Sequence, residues 1–463
     1  MIQKKWWVFA SIFTLSLALF QKSLSYYFFQ DDWFVLSWIS NEGLPSYFSF
    51  RTDIIYWRPL TMPIFFAIGK GLFGLNPLGF HLIAFTFHCI NICLVYLLMR
   101  QLHLKQVAAL FAAFIWGISA FHFVPLSWLS TTSYIIGPTF ILSTVILFLK
   151  SKYKTSVLFF ILALCSTELS LITPALILIL DANIKKKFKK LLPFFILVIP
   201  YLVVRFVIFP APTRSDYAPS INLKLLTNAF WYFAWNFNMA ERFSTIFYLS
   251  NIKSSVGLIR EFASLLAGPL FLMVSFMALL LKVKPAGAIV IRGIAWFMVG
   301  LSPVIFLTNH AYAMYLAIAS LGIIYMLAKT IDALSRFKVP VIITLGSIWF
   351  ASSAHTVNFL TVNHWIPNEQ AVSRAYSTYT KEEIPNPVKD STFVFRNAQK
   401  TFQEKYKFTL LDSEDIVYQS LNGNTAMQVL YNEPSLKSIF LKSGQQLSPN
   451  PNQIFYEILP QVK

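Results

Sequence analysis

Apolar runs of about 20 residues recur along most of this chain, each bounded by Lys or Arg, the length at which an α-helix crosses a hydrocarbon core. With the N-terminus on the cytoplasmic side, spans fall at 6–24, 79–100, 107–124 and 133–150, then at 191–209, 262–281, 287–308, 312–328 and 339–357. The stretch 155–181 is apolar throughout and has basic clusters at both ends. Two short helices meeting near Ser166–Ser170 keep both clusters on one side, which a single crossing cannot do. Such short arms are tolerated only where protein, not lipid, surrounds the exposed backbone. The expected class is an all-α polytopic membrane protein of about eleven transmembrane helices, with long outer loops at 25–78 and 210–260.

Beyond about residue 360 the pattern changes. Apolar runs shorten, and Pro367, Pro385, Pro387, Pro434, Pro449 and Pro451 punctuate the chain. Thr392–Arg396 and Ile454–Leu459 read as strands and Thr425–Tyr431 as a helix. The chain therefore divides into a membrane domain, 1–360, and a small α+β extracytoplasmic domain, 361–463.

Composition agrees: 56% of residues are hydrophobic and 13% are charged, about half the usual charged share. The net charge of +18 suggests a nucleic-acid partner until its distribution is read. From residue 363 onward ten basic residues balance ten acidic ones, so the excess lies in the membrane part. It concentrates in short connections (Lys4/Lys5, Arg100/Lys105, Lys150–Lys154, Lys185–Lys190, Lys282/Lys284, Lys329–Lys338), where it marks the cytoplasmic face and not a nucleic-acid site. Trp6–Phe20 lacks a small-residue cleavage site and reads as a retained span, not a signal peptide. Cys89, Cys93 and Cys165 lie in apolar stretches and make no disulfide or metal framework. No Walker or Rossmann glycine pattern and no fixed-period repeat is present.

The chemistry gathers on the non-cytoplasmic side. Asp31–Asp32 follow the first span; adjacent carboxylates raise each other's proton affinity and suit a general base, or else end a helix. Tyr56-Trp57-Arg58-Pro59-Leu60 sets an arginine among aromatics, fit for a phosphate or for headgroup anchoring. His81, His88 and Asn91 share one face of the second span, either lining a site or bonding neighbouring helices. Glu168 is a carboxylate inside apolar sequence, which costs roughly 2.5–3.5 kcal/mol on insertion scales, so a partner is expected. Arg205, deep in the span at 191–209, is a natural candidate. Thr308, Asn309 and His310, followed by Tyr312 and Tyr315, line a headgroup pocket or form an interfacial belt.

The order of these pieces resembles the polytopic glycosyltransferases of the GT-C superfamily, closest to the branch of protein O-mannosyltransferases and their tetratricopeptide-bearing relatives. The resemblance rests on the acidic pair, then Tyr-Trp-Arg-Pro-Leu, then Gly74-Leu75-Asn76-Pro77-Leu78-Gly79-Phe80-His81 with His88 and Asn91. Thr167-Glu168 before Pro174 is similar to that branch's Lys-Glu…Pro segment, and Tyr201, Arg205, Trp296, Gly300, Leu301 and Pro303 also fit. The match covers roughly 1–357. It departs where Ala313-Met314 stand in place of a Glu-Arg pair, and in a tail without tetratricopeptide pattern.

The resemblance implies a polyprenyl-phosphate-linked sugar as donor and a glycan, lipid or protein hydroxyl as acceptor. It implies Asp31 as base, with Asp32 orienting it or the acceptor, and inversion at the sugar. Arg58, with Arg205 or His81, would stabilise the departing phosphate; Tyr56, His88, Glu168 and His310 complete the expected substrate-binding set. A divalent metal at the acidic pair stays open, and the resemblance implies no other cofactor. The expected location is the plasma (inner) membrane. The rival readings are a lipid-linked-sugar flippase or other transporter, for which inverted repeats are missing from the sequence, and a non-catalytic scaffold with a partner-binding tail.

Overall fold

The computed structural model describes residues 3–51, 53–181, 183–209, 215–247, 252–410, 415–441, 445–446 and 453–461; parts of the expected 210–260 loop and Pro449 and Pro451 lie outside them. The membrane part is helical. In chain order its helices are α1 (Gln3–Phe20), α2 (Asp31–Asn41), α3 (Phe65–Phe73), α4 (Pro77–Gln101), α5 (Gln106–Ile118), α6 (Phe123–Ser127), α7 (Ser133–Leu149), α8 (Tyr153–Leu164), α9 (Thr173–Leu180) and α10 (Ile184–Val203). There follow α11 (Lys224–Trp235), α12 (Phe243–Ile246), α13 (Ile252–Glu261), α14 (Ala263–Val283), α15 (Gly287–Leu301), α16 (Leu316–Asp332) and α17 (Lys338–Asn363).

Among the described residues seven helices are long and apolar enough to cross a bilayer, and an eighth crossing results if α5 and the segment after it, bent by 46°, count as one. The segments Tyr153–Leu164, Glu168–Leu180 and Gly287–Leu301 are shorter than a crossing. α15 ends at Leu301, whereas the apolar pattern ran to residue 308. Pro303 accounts for this, since a proline disfavours helix at the residue before it and cannot donate to the ladder.

Both breaks in the spans are satisfied by protein. Where α5 stops, Asn238 Oδ1 accepts from Ala120 N (3.0 Å) and Ser119 Oγ accepts from Trp349 Nε1 (3.1 Å). The apolar stretch 155–181 breaks at Cys165–Thr167, between α8 and a 3₁₀ turn at Glu168–Ile172 that leads into α9. Its freed carbonyls go to one neighbour: Leu60 N donates to Cys165 O (3.0 Å) and Thr61 Oγ1 to Ser166 O (2.6 Å). Buried backbone groups must find such partners. The pairing fastens the Tyr56–Thr61 segment beside Glu168.

α16 is the central helix, buried along nearly its whole length. α15 can lie against it because glycines meet there: a Cβ on Gly300 would come 2.5 Å from Ala319 Cα, and one on Gly322 2.4 Å from Gly293 O. The two ends of α16 differ in chemistry. At its C-terminal end the basic connections gather: Lys329 Nζ bonds His103 O (3.1 Å), while Asp332 takes Lys105 N (2.9 Å) and Lys338 Nζ (2.8 Å). At its N-terminal end lie Glu241, Tyr315 and the polar cluster described below.

The tail opens with α18 (Trp365–Glu383), one residue after α17. Then come β1 (Thr392–Phe395), α19 (Lys400–Tyr406), α20 (Ile416–Leu421), α21 (Thr425–Tyr431), β2 (Lys437–Phe440) and β3 (Phe455–Ile458). The three strands form a parallel sheet in the order β2-β1-β3, with Thr392 opposite Lys437 and Phe455. β1, central and buried at all four positions, carries Phe393 and Phe395 into a core with Val372, Tyr376 and Leu421. That core also takes Phe28, Trp33, Val35 and Leu36 from the 25–78 segment. Thus α2, which carries the acidic pair, packs with the tail.

Candidate functional site

Asp31 and Asp32 open α2, where carboxylates favour the positive end of the helix dipole. They are not equivalent. Asp32 is fully buried; its Oδ1 accepts from Ser130 N (2.8 Å) and Ser130 Oγ (2.6 Å), and its Oδ2 accepts from Phe29 N (3.3 Å). Burial pushes its carboxyl up to about 7, against the pull of these hydrogen bonds. Asp32 therefore ties α2 to the segment before α7. Asp31 remains partly exposed, and its charge acts on Tyr56, whose phenol is pushed up first by burial and then by Asp31.

Tyr56 leads to Arg58. The guanidinium lies 4.4 Å from the Tyr56 ring centre and 5.3 Å from that of Tyr134. It grips Glu168 with two nitrogens, Nε to Oε2 at 2.8 Å and Nη2 to Oε1. Nη1 donates to Ser133 Oγ (3.0 Å) and Nη2 also to Tyr134 OH (3.1 Å). Arg58 is thus buried and engaged through all three of its nitrogens, while the Glu168 side chain keeps 29% of its surface exposed. The buried charge expected to need a partner has one, and it is Arg58. Arg205, half-buried in a π turn that extends α10, adds its field to Glu168. Among the described residues its guanidinium makes no hydrogen bond or ion pair; it lies 5.8 Å from the Phe206 ring centre.

His310 faces the same cluster from the segment after α15. Its ring lies 4.2 Å from that of Tyr217 and 4.6 Å from that of Tyr312, and it feels the charges of Asp216, Arg58, Glu168 and Glu241. Burial pushes it down to about 4, so it is neutral at pH 7.

The two histidines of α4 turn elsewhere. His81 sets Nδ1 3.1 Å from Leu126 O and Nε2 3.2 Å from Tyr26 O. His88 Nε2 meets Ser16 Oγ (3.1 Å) and Gly117 O (2.9 Å), with its ring stacked on Trp116. Asn91 joins Ile135 O (2.7 Å) and Thr139 Oγ1 (2.8 Å). Of the two readings given for this polar face, these contacts match the bonding of neighbouring helices.

Sequence reasoning passed over several participants. Ser130, Ser133 and Tyr134 are ordinary residues in an apolar run, and only tertiary contact gives them meaning. Glu241 is buried; its Oε2 accepts from Ala313 N (2.8 Å), and its Oε1 lies 3.5 Å from His364 Nε2, beside a water-sized cavity of about 10 Å³. Glu241 thus lies next to Ala313, where the resemblance has a Glu-Arg pair, while Arg242 bonds Asn363 O. An isolated Glu-Arg within the 210–260 loop was the available signal.

A divalent ion at the acidic pair fits poorly. Asp32 is buried and both of its oxygens already accept hydrogen bonds. Among the described residues no three His, Cys, Asp or Glu side chains come together as a metal site.

No family model matches the sequence, and no curated protein matches it. Solved structures do. The oligosaccharyltransferase of Archaeoglobus fulgidus, in complex with Zn and sulfate, is 12% identical with a TM-score of 0.47 over 92% of this chain and 61% of that one. The mycobacterial arabinofuranosyltransferase AftD is 13% identical with a TM-score of 0.48, over 85% of this chain and 29% of that one. ArnT from Cupriavidus metallidurans is 12% identical with a TM-score of 0.40, over 95% and 86%. The chain therefore spans less than two thirds of the first two. Two of these structures are named as an oligosaccharyltransferase and an arabinofuranosyltransferase, and none of the three carries the name of a protein O-mannosyltransferase.

Proposed function

We propose that this chain is a membrane glycosyltransferase that moves a sugar from a polyprenyl-phosphate donor to an acceptor hydroxyl at the outer face of the plasma membrane. In this reading the N-terminus and basic connections are cytoplasmic and the tail is outside. The observation that carries it is a convergence: Asp31, Tyr56, Arg58, Tyr134, Glu168, Arg205 and His310, scattered over the sequence, meet at the end of the bundle opposite the basic connections.

The roles follow from exposure and charge. Asp31, partly exposed beside the locked Asp32, takes the proton of the acceptor hydroxyl. The acceptor oxygen bonds to the anomeric carbon from the face opposite the phosphate. The bond from that carbon to the phosphate oxygen breaks, its electron pair leaves with polyprenyl phosphate, and the configuration inverts. Arg205 meets the developing negative charge. Arg58, occupied by Glu168, holds the site in shape and adds field. His310, neutral, and Tyr56 line the sugar's space. His81 and His88 are assigned to helix packing.

The test is a deletion strain complemented with the full chain or with Asp31→Asn, its glycans and glycolipids compared by mass spectrometry. The product missing from the deletion strain returns with the parent chain and not with D31N at equal membrane abundance. Near-normal product from D31N would remove Asp31 as the base.

A further inference from the structure

The peptide turn that launches the acidic pair is a strained one. Gln30 has φ 48° and ψ −125°, and Asp32 N closes the turn onto Phe29 O at 3.1 Å. This is the first corner of a type II′ turn, a conformation that glycine takes freely and that costs a glutamine. Such a backbone persists where its surroundings over-determine it.

Those surroundings come from the tail. Gln30 N donates to Ser420 O in α20 (3.1 Å), and Gln30 Nε2 donates to Glu369 Oε2 in α18. Either side of the turn, Gln370 Oε1 accepts from Tyr27 N (3.2 Å) and Ser373 Oγ accepts from Trp33 Nε1 (2.9 Å). Arg374 reaches back to Ser25 O. One face of α18 therefore holds the whole segment from Ser25 to Trp33, and Glu369 is only 7% exposed where it does so. Among the described residues the Glu369 carboxylate takes its hydrogen bond from Gln30.

We infer that α18 is a positioning element for sugar transfer, with Glu369 and Gln30 as positioning residues: the outer domain holds a strained turn that aims Asp31 at the acceptor. This rests on the reading of Asp31 as base, and gives the tail a part in the site apart from acceptor recognition.

The test uses the full chain in detergent for hydrogen–deuterium exchange of the 26–36 segment, and the complemented deletion strain for product. Glu369→Ala is expected to speed exchange in that segment and to lower product about tenfold. Glu369→Gln, whose amide oxygen still accepts from Gln30, restores both. Gln30→Gly placed in the E369A background also restores product, because glycine takes the turn without being held. If E369A does not accumulate, Gln30→Ala replaces it; it removes the amide and keeps the strain, and the same two losses are expected. Unchanged exchange and product in E369A or Q30A would overturn the clamp. So would E369A losses that Q30G does not relieve. The failure of the other reading looks different: D31N would retain product while exchange in its 26–36 segment stays at the parent level.

Discussion

The Arg58–Glu168 pair offers the sharpest quantitative handle on the site. Replace Glu168 by Ala, and a guanidinium with 7% of its side chain exposed loses its counter-charge. Breaking a buried pair from one side costs about 3–5 kcal/mol. Two features reduce this. Glu168 keeps 29% exposure, so water takes over part of its role, and Ser133 and Tyr134 still accept from Arg58. The expected cost is then about 2–3 kcal/mol, toward or below the low end of that range. Arg58→Met leaves a partly exposed carboxylate that still feels the Arg205 charge, and should cost less, about 1–2 kcal/mol. The double variant R58M/E168A removes both charges, so its cost should fall short of the sum by roughly 1–2 kcal/mol. Unfolding of the purified chain by sodium dodecyl sulfate in mixed micelles, followed by tryptophan fluorescence, measures all four states. Additivity within about 0.5 kcal/mol would refute the reasoning, since independent sites behave that way.

Other predictions are more compact. Asp32 and Glu369 both have carboxyls raised by burial to about 7, above their ordinary values of 3.8 and 4.5. Groups raised on folding contribute stability that is fully present at acid pH and lost as pH rises through the folded value. The Ser25–Trp33 segment should therefore loosen between about pH 4 and pH 7, seen as faster hydrogen exchange after correction for the intrinsic pH effect. D32N and E369Q should each flatten that change, and an equally steep change in both would contradict it. Arg205→Ala should lower product about a hundredfold without loss of membrane abundance, with Arg205→Lys between; parent-level product in R205A would reassign the phosphate's partner. A Cβ on Gly137 would lie 2.4 Å from Thr167 Cγ2. Gly137→Val should therefore push the Glu168 turn off α7, cost about 1–3 kcal/mol, and reduce product as well; parent-like unfolding would show that the turn yields freely.

Much of the fold was legible because a bilayer leaves the backbone few options. Long apolar helices with basic ends are readable one at a time, and a break expected near 166–170, from the need to keep both lysine clusters together, is found at 165–167. Pro303 was visible but not weighed, so α15 was read too long. In the tail, β1 and β3 and helix α21 were found at 392–395, 455–458 and 425–431. The strand β2 and the helices α18, α19 and α20 were not. α18 carries Glu369, Gln370, Ser373 and Arg374 on a face that meets another segment and not water, so no apolar stripe marks that face in the sequence.

The site was legible as a set of residue types and not as a set of pairs. Asp31, Arg58, Glu168, Arg205 and His310 were singled out because charge or polarity in that setting must be matched by something. Which partner matched which depended on contacts across tens to hundreds of residues, such as Arg58 with Glu168 or Asp32 with Ser130. The histidine face of α4 was drawn in by periodicity, which reports a shared direction and not what lies there. Gln30 gave no signal, because glutamine is a common residue and its positive φ is invisible until the chain is folded.

The most direct measurement is a cryo-EM structure of the full chain in nanodiscs with added polyprenyl phosphate, the product the account says is released. The account predicts the phosphate at the outer end of the bundle, within hydrogen-bonding distance of Arg205, on the side of the cluster that Asp31 faces, with Arg58 still paired to Glu168. A phosphate bound among the lysine-rich connections at the other end, and none near Arg205, would contradict it.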